Sequence, residues 1–173
     1  MNRIDGKQPL KVLIVIGSLE IGGAEKHVAA LAVGLKERNI EIAICGLSSG
    51  GALEKGLLEN KICLFFPKTT FILGGLFRVK FLRRLLFYLR SAYTFFGAYS
   101  SFRPRIVHFF LPGAYIQGGL ISLLIPDVCR IMSRRSLNIY QDKKPMLKKL
   151  EGFLHTKMNL ITGNSERIIG ELS

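Results

Sequence analysis

The segment Lys11 to Arg38, KVLIVIGSLEIGGAEKHVAALAVGLKER, constrains this chain more than any other. It opens with an unbroken apolar run, Val12 to Ile16, that stops at Gly17. A strand with polar groups on neither side has to be buried on both faces, as in the middle of a parallel sheet. The pair Gly22-Gly23 follows. From Ala24 onward Val28, Leu31, Ala32 and Leu35 recur at helical spacing, with Lys26, Glu37 and Arg38 off the stripe. Strand, glycine loop and helix form the first half of a βαβ unit, and Ile40 to Leu47 supplies its second strand. A helix starting beside the glycines presents unpaired N–H groups and the positive end of a dipole, which suits an anion such as phosphate.

Two familiar phosphate motifs are absent. Gly17 and Gly22 have P-loop spacing, but Gly23 and Ala24 stand where lysine and a hydroxyl residue are required. Leu19 occupies the second glycine position of the dinucleotide fingerprint. The glycine pair then has two readings: close approach of a ligand to bare backbone, or a tight turn at a helix start.

The rest of the chain continues the alternation of strand and helix. A short helix over Ala52 to Glu59 leads to a strand at Ile62 to Phe66, and a long helical segment spans Phe71 to Phe102. Arg105 to Phe110 and Val128 to Ser133 read as further strands, with a helix from about Ala114 to Leu124 between them. A lysine-rich helix over Met146 to Lys157 precedes a short strand at Asn159 to Thr162, and Asn164 or Ser165 would cap one more helix. This pattern predicts an α/β fold: a doubly wound, mostly parallel, Rossmann-like sheet. Residues 1–10 form a polar tail without a signal-peptide core, and 11–173 make one domain. Ile106 to Pro126 carries no charged side chain, yet its prolines and glycines divide it into strand, loop and helix rather than a membrane span.

Charge is unevenly placed. The formal net charge is +13, of which residues 71–173 carry +11, and that imbalance predicts an anionic partner. On a helical projection of the long segment, Lys80, Arg83, Arg84, Arg90, Ser91 and Thr94 share one side. Leu82, Leu85, Leu86, Leu89, Tyr93 and Phe96 take the other. A basic amphipathic helix rich in aromatics suits contact with an anionic membrane surface through Lys80, Arg83, Arg84 and Arg90; a core-packed helix with a solvated basic face has the same pattern. The three cysteines, Cys45, Cys63 and Cys129, lie far apart in predicted strands, which predicts buried reduced thiols in the cytoplasm and no metal site. No nucleic-acid motif interleaves the basic residues.

Four segments in order, KVLIVIGSLEIGGAEKHVAALAVGLKERNIEIAICGL, RPRIVHFFLPGAYIQGGL, VCRIMSRRSLNIYQ and LITGNSERI, carry a resemblance. The chain resembles the N-terminal, acceptor-side domain of retaining glycosyltransferases of the GT-B fold, family 4 type. That resemblance implies one half of a two-domain enzyme that transfers sugar from a nucleotide-sugar donor to a lipid-linked or cell-envelope saccharide. It also implies that the donor-binding half, with its two glutamates separated by seven residues, is absent, since no glutamates here have that spacing. The domain alone would then be inactive. Its partners would be a glycan or lipid-linked acceptor, an anionic membrane surface on the cytoplasmic side, and a separate chain carrying the donor domain. No cofactor is implied beyond the donor, which belongs with that missing half. A different class of function is a non-catalytic basic module that binds anionic membrane or another polyanion.

Residue by residue, Gly22 and Gly23 match the loop that approaches diphosphate and acceptor in the family. Arg134, Arg135 and Asn138 match the loop after the fifth strand, where cations could hold a phosphate or acidic sugar. Ser165 and Glu166 match an element near the domain's end, where a helix cap serves as well. His108 matches the first of two histidines at the end of the fourth strand in many relatives, but Phe110 and Gly113 stand where the second is sought. A lone histidine in an apolar strand is commonly a hydrogen-bonded core residue, and that reading is preferred here. No residue is assigned a catalytic role.

Overall fold

A computed structural model describes residues 9–67, 80–134 and 145–163. Six strands, β1 (Lys11–Ile16), β2 (Glu41–Gly46), β3 (Cys63–Phe65), β4 (Ile106–Phe110), β5 (Cys129–Arg134) and β6 (Leu160–Gly163), form one sheet. Their order is β3-β2-β1-β4-β5-β6, with every pair parallel. The helices are α1 (Gly23–Lys36), α2 (Glu54–Glu59), α3 (Lys80–Phe102), α4 (Pro112–Ser122) and α5 (Pro145–His155). This is the doubly wound α/β arrangement that the alternation of elements predicts.

The apolar run of β1 sits at the centre of the sheet, and Leu13 to Ile16 have no exposed surface. Its alternate residues feed two cores. Leu13 and Val15 join Cys45, Val107, Phe109 and Met132 beneath Phe95 of α3 and Tyr115 of α4. Ile14 and Ile16 join Ile44 and Phe110 on the other side, packed with Val28 and Ala32 of α1 and Leu57 of α2. Period-two alternation thus explains why an unbroken apolar strand is needed here: both faces are covered.

Strand order reverses between β1 and β4. The loops leaving their carboxyl ends diverge to opposite sides of the sheet and leave a crevice between them. The loop leaving β1 is held by its surroundings. Ser48 N–H and Oγ–H donate to the Gly17 carbonyl at 2.9 and 2.6 Å, and Leu53 N–H donates to the Leu19 carbonyl at 3.2 Å. A Cβ on Gly51 would lie 2.2 Å from the backbone carbon of Leu19. Because backbone cannot swing aside as a side chain can, Gly51→Ala is expected to lower stability by about 1–3 kcal/mol, as measured by urea denaturation.

Three expectations need correction. Ser91 and Thr94, assigned by periodicity to the basic side of the long helix, are buried, whereas Leu89 and Tyr93 are 56% and 83% exposed. The face that turns inward is the one carrying Phe95 and Ala98, which pack into the core, and Ser91 one turn earlier is satisfied there by the Leu47 carbonyl, 2.7 Å from its hydroxyl. Cys63 is exposed, because β3 is an edge strand; Cys45 is buried in the sheet centre, and burial raises its thiol pKa to about 12. Arg134, placed by pattern in the loop after the fifth strand, is the last residue of β5, paired with Gly163 of β6.

Candidate functional site

The carboxyl edge of the sheet at β1 and β4 gathers the residues with chemical potential. Gly22 caps α1 with extended backbone (φ −146°, ψ 169°), and Gly23 is the first helical residue. Neither adopts a left-handed conformation, so the turn itself does not demand glycine. A Cβ on Gly23 would meet nothing within 4 Å, and one on Gly22 would meet only the mobile carboxylate of Glu25. Neither packing nor conformation within this chain calls for glycine at Gly23. Bare backbone at a helix N-terminus is what an incoming anion or sugar requires.

Facing this loop, β4 ends at Leu111, which holds φ 70° and ψ 152°, a region that side chains other than glycine's rarely enter. Two backbone bonds keep it there: Ala114 and Tyr115 N–H both donate to its carbonyl at 3.1 Å. Pro112 then opens α4, where a missing N–H costs nothing. Strain beside a switch-point crevice makes this turn a candidate part of the site.

One residue before it, the Phe110 ring lies between two imidazoles. His108 is 4.3 Å away between ring centroids, and His27, on the first turns of α1, is 6.1 Å away. His27 has no supporting pattern in the sequence. It reaches the site because the start of α1 lies beside the carboxyl end of β4, β1's other neighbour, a relation visible only once the strands are ordered.

His108 is half-buried and hydrogen-bonded. Its Nε2 is 2.7 Å from Ser133 Oγ, which is 2.7 Å from Thr162 Oγ1; Thr162 in turn donates to the Met132 carbonyl at 3.4 Å. With the Thr162 proton on that carbonyl, Ser133 donates to Thr162 and accepts from an imidazole proton on His108 Nε2. Nitrogen-15 NMR of the imidazole is expected to show the Nε2–H form, and Thr162→Val is expected to shift it toward Nδ1–H by freeing the serine proton. An unchanged tautomer in that variant would contradict this order of donors.

Arg134 behaves differently from the exposed clamp implied by resemblance. It is 2% exposed, and its Nη1 lies 3.8 Å from Glu151 Oε1 on α5. Tyr115 of α4 donates to the same oxygen at 2.5 Å, and His155 Nε2 stands 3.6 Å away. Burial alone would raise the Glu151 carboxyl. The contacts from His155 and Tyr115 and the charge of Arg134 outweigh it, so the group titrates below its ordinary range. This cluster ties α4, α5 and the end of β5 together behind the crevice.

Arg135, Asn138, Ser165 and Glu166 lie outside the described residues, as does the side chain of Lys80. Arg83 and Arg84 are exposed on α3, and Arg90 is half-buried. Arg83, Arg84 and Arg90, the cations expected to meet a membrane, thus belong to α3, which packs on β1, β2 and β3 rather than carrying the glycine loop. Among the described residues no helix is long and apolar enough to cross a membrane, and no three acidic, histidine or cysteine side chains are grouped to hold a metal.

Comparison with known proteins agrees with this geometry. Residues 21–173 match the model of Glycosyltransferase Family 4. A search of curated proteins gives no match. Among solved structures, HepE of Anabaena, crystallised with UDP and glucose, superposes with a TM-score of 0.65 at 15% identity, over 94% of this chain and 40% of that one. A glycosyltransferase of Rickettsia africae gives 0.63 at 14%, over 95% and 39%. A UDP-N-acetylglucosamine 2-epimerase gives 0.59 at 13%, over 95% and 44%, so the fold is shared beyond sugar transfer. The chain spans about 40% of the length of these proteins. With a central βαβ unit opening on bare glycines, a strained turn opposite, and a family match covering most of its length, this chain belongs to Glycosyltransferase Family 4 and has the fold of the N-terminal half of a GT-B enzyme.

Proposed function

We propose that this domain holds the acceptor in a sugar-transfer reaction, receiving a hexosyl group from a nucleotide-sugar donor onto a lipid-linked or cell-envelope saccharide. The observation that carries the reading is the Gly23 backbone, open at the N-terminus of α1 in a crevice that also collects His27 and His108. Transfer requires donor phosphate and acceptor hydroxyl to be held together with water excluded, and one domain supplies one wall of such a site. The chain is then inactive alone and works with a donor-binding domain.

The test is transfer from radiolabelled nucleotide sugars to saccharide acceptors, with this chain alone and with a GT-B donor-binding domain supplied separately. Transfer only in the combined reaction is expected. Turnover by this chain alone would remove the claim of inactivity, and failure of the chain to bind any saccharide acceptor would remove the acceptor role.

A second reading, a basic module on anionic membrane, draws on α3. Its outer surface exposes Phe81, Leu85, Phe87 and Tyr88 beside Arg83 and Arg84. Flotation with anionic vesicles is expected to weaken as salt rises, because the electrostatic part of the attraction is screened. Binding that ignores both lipid charge and salt would count against it.

A further inference from the structure

The sheet edge opposite the β6 side carries a groove that the crevice does not use. It has a cavity volume of about 840 Å³ and lies between β3 and α3. Leu64 and Phe66 line one wall; Leu86, Arg90, Tyr93 and Gly97 belong to the other, on a stripe of α3 repeating every three to four residues. The volume is in the range of small-molecule clefts. The lining is apolar apart from a few groups, and among the described residues Arg90 is the cation that lines it.

Arg90 also borders a second cavity, of about 300 Å³, which is bounded by Leu47 and Ser48. Ser48 is the residue whose hydroxyl holds the Gly17 carbonyl at the start of the glycine loop. The two cavities therefore meet at Arg90, and the path along α3 leads from an apolar trough, past a guanidinium, to the loop at the carboxyl edge of the sheet. The charge of this region is one-sided. Between Glu59 and Asp127 the sequence holds no acidic residue and nine lysines and arginines.

We infer that the β3–α3 groove binds the hydrocarbon chain of a lipid-phosphate-linked acceptor, with its phosphate at Arg90 and its saccharide directed toward the glycine loop. This rests on the acceptor reading above and deepens it by naming where the lipid part lies. The apolar walls suit a single chain, a bidentate guanidinium suits phosphate, and no carboxylate lines the groove to repel it. The exposure of Tyr93, 83%, on the groove's rim is then an opening for the ligand rather than a defect of packing.

Gly97 allows a clean test, because a Cβ there meets nothing within 4 Å and leucine has the higher helix propensity. Gly97→Leu fills the trough without disturbing the core, which thermal unfolding monitors. Farnesyl phosphate below its micelle concentration is the probe, with farnesol and inorganic phosphate as partial ligands. Gly97→Leu is expected to weaken farnesyl phosphate and farnesol at least tenfold. Arg90→Gln is expected to weaken farnesyl phosphate at least fivefold and leave farnesol within twofold. Farnesyl phosphate binding unchanged by Gly97→Leu would overturn the proposal. So would binding to anionic vesicles with none to farnesyl phosphate, which assigns the face to the bilayer, or self-association abolished by Gly97→Leu, which assigns it to a second copy. Binding is read without transfer. Loss of the groove would leave transfer to water-soluble saccharides standing, and loss of that transfer would leave the groove standing.

Discussion

Glu151→Ala is expected to remove about 1–3 kcal/mol of stability at neutral pH, because the buried Tyr115 hydroxyl and the Arg134 guanidinium both lose their contact with its carboxylate. Glu151 and Arg134 are both 2% exposed. A domain of this size has only about 5–15 kcal/mol in total, so this loss is a large part of it. Urea denaturation of the two proteins at pH 7 measures it directly. A loss under about 0.5 kcal/mol would show that the contacts of the carboxylate with Tyr115 and Arg134 carry no stability.

The same carboxyl sets a pH dependence. Its folded pKa is depressed, so its contribution is present above the ordinary glutamate value of about 4.3 and is lost as pH falls through the lower folded value. The stability gap between the native chain and Glu151→Gln is therefore expected to close as pH falls below the ordinary glutamate value and the carboxyl takes up its proton. A gap that widens on acidification would reverse the sign and refute the assignment.

The second large effect concerns function without stability. Gly23→Val is expected to leave unfolding free energy within about 1 kcal/mol, because its side chain enters open space at the first helical position. In the reconstituted transfer reaction the same variant is expected to lose about a hundredfold in rate, the scale of misplacing reactants by an ångström. The contrast with Gly51, where an added methyl meets backbone, separates the two kinds of glycine. If Gly23→Val transfers sugar at the native rate, the open glycine is not where ligand approaches.

Sequence reading reached the parallel sheet, the order of its elements and the glycine loop because these depend on short-range rules. An apolar run of strand length, a glycine pair and a 3.6-residue stripe each report on the chain within a few residues of themselves. The long helix shows where such rules stop. Its two sides were separable by period, but the side carrying Ser91 could turn inward with Phe95 and Ala98 because the Leu47 carbonyl, just past β2 and more than forty residues earlier, accepts the serine hydroxyl. Ser91 is therefore inside for a reason that no local pattern carries.

The site divides the same way. Local sequence determined that bare backbone would stand at a helix start after a buried strand, since strand, loop and helix are contiguous there. Tertiary structure alone decided that His27 would meet Phe110, that Ser133 and Thr162 would orient His108, and that Arg134 would turn from the crevice to Glu151. Those groups come from strands and helices distant in the chain, and they meet only because parallel pairing brings every carboxyl end to one edge. Chain order dictates what each element is. Burial and strand order dictate which of its atoms touch another's.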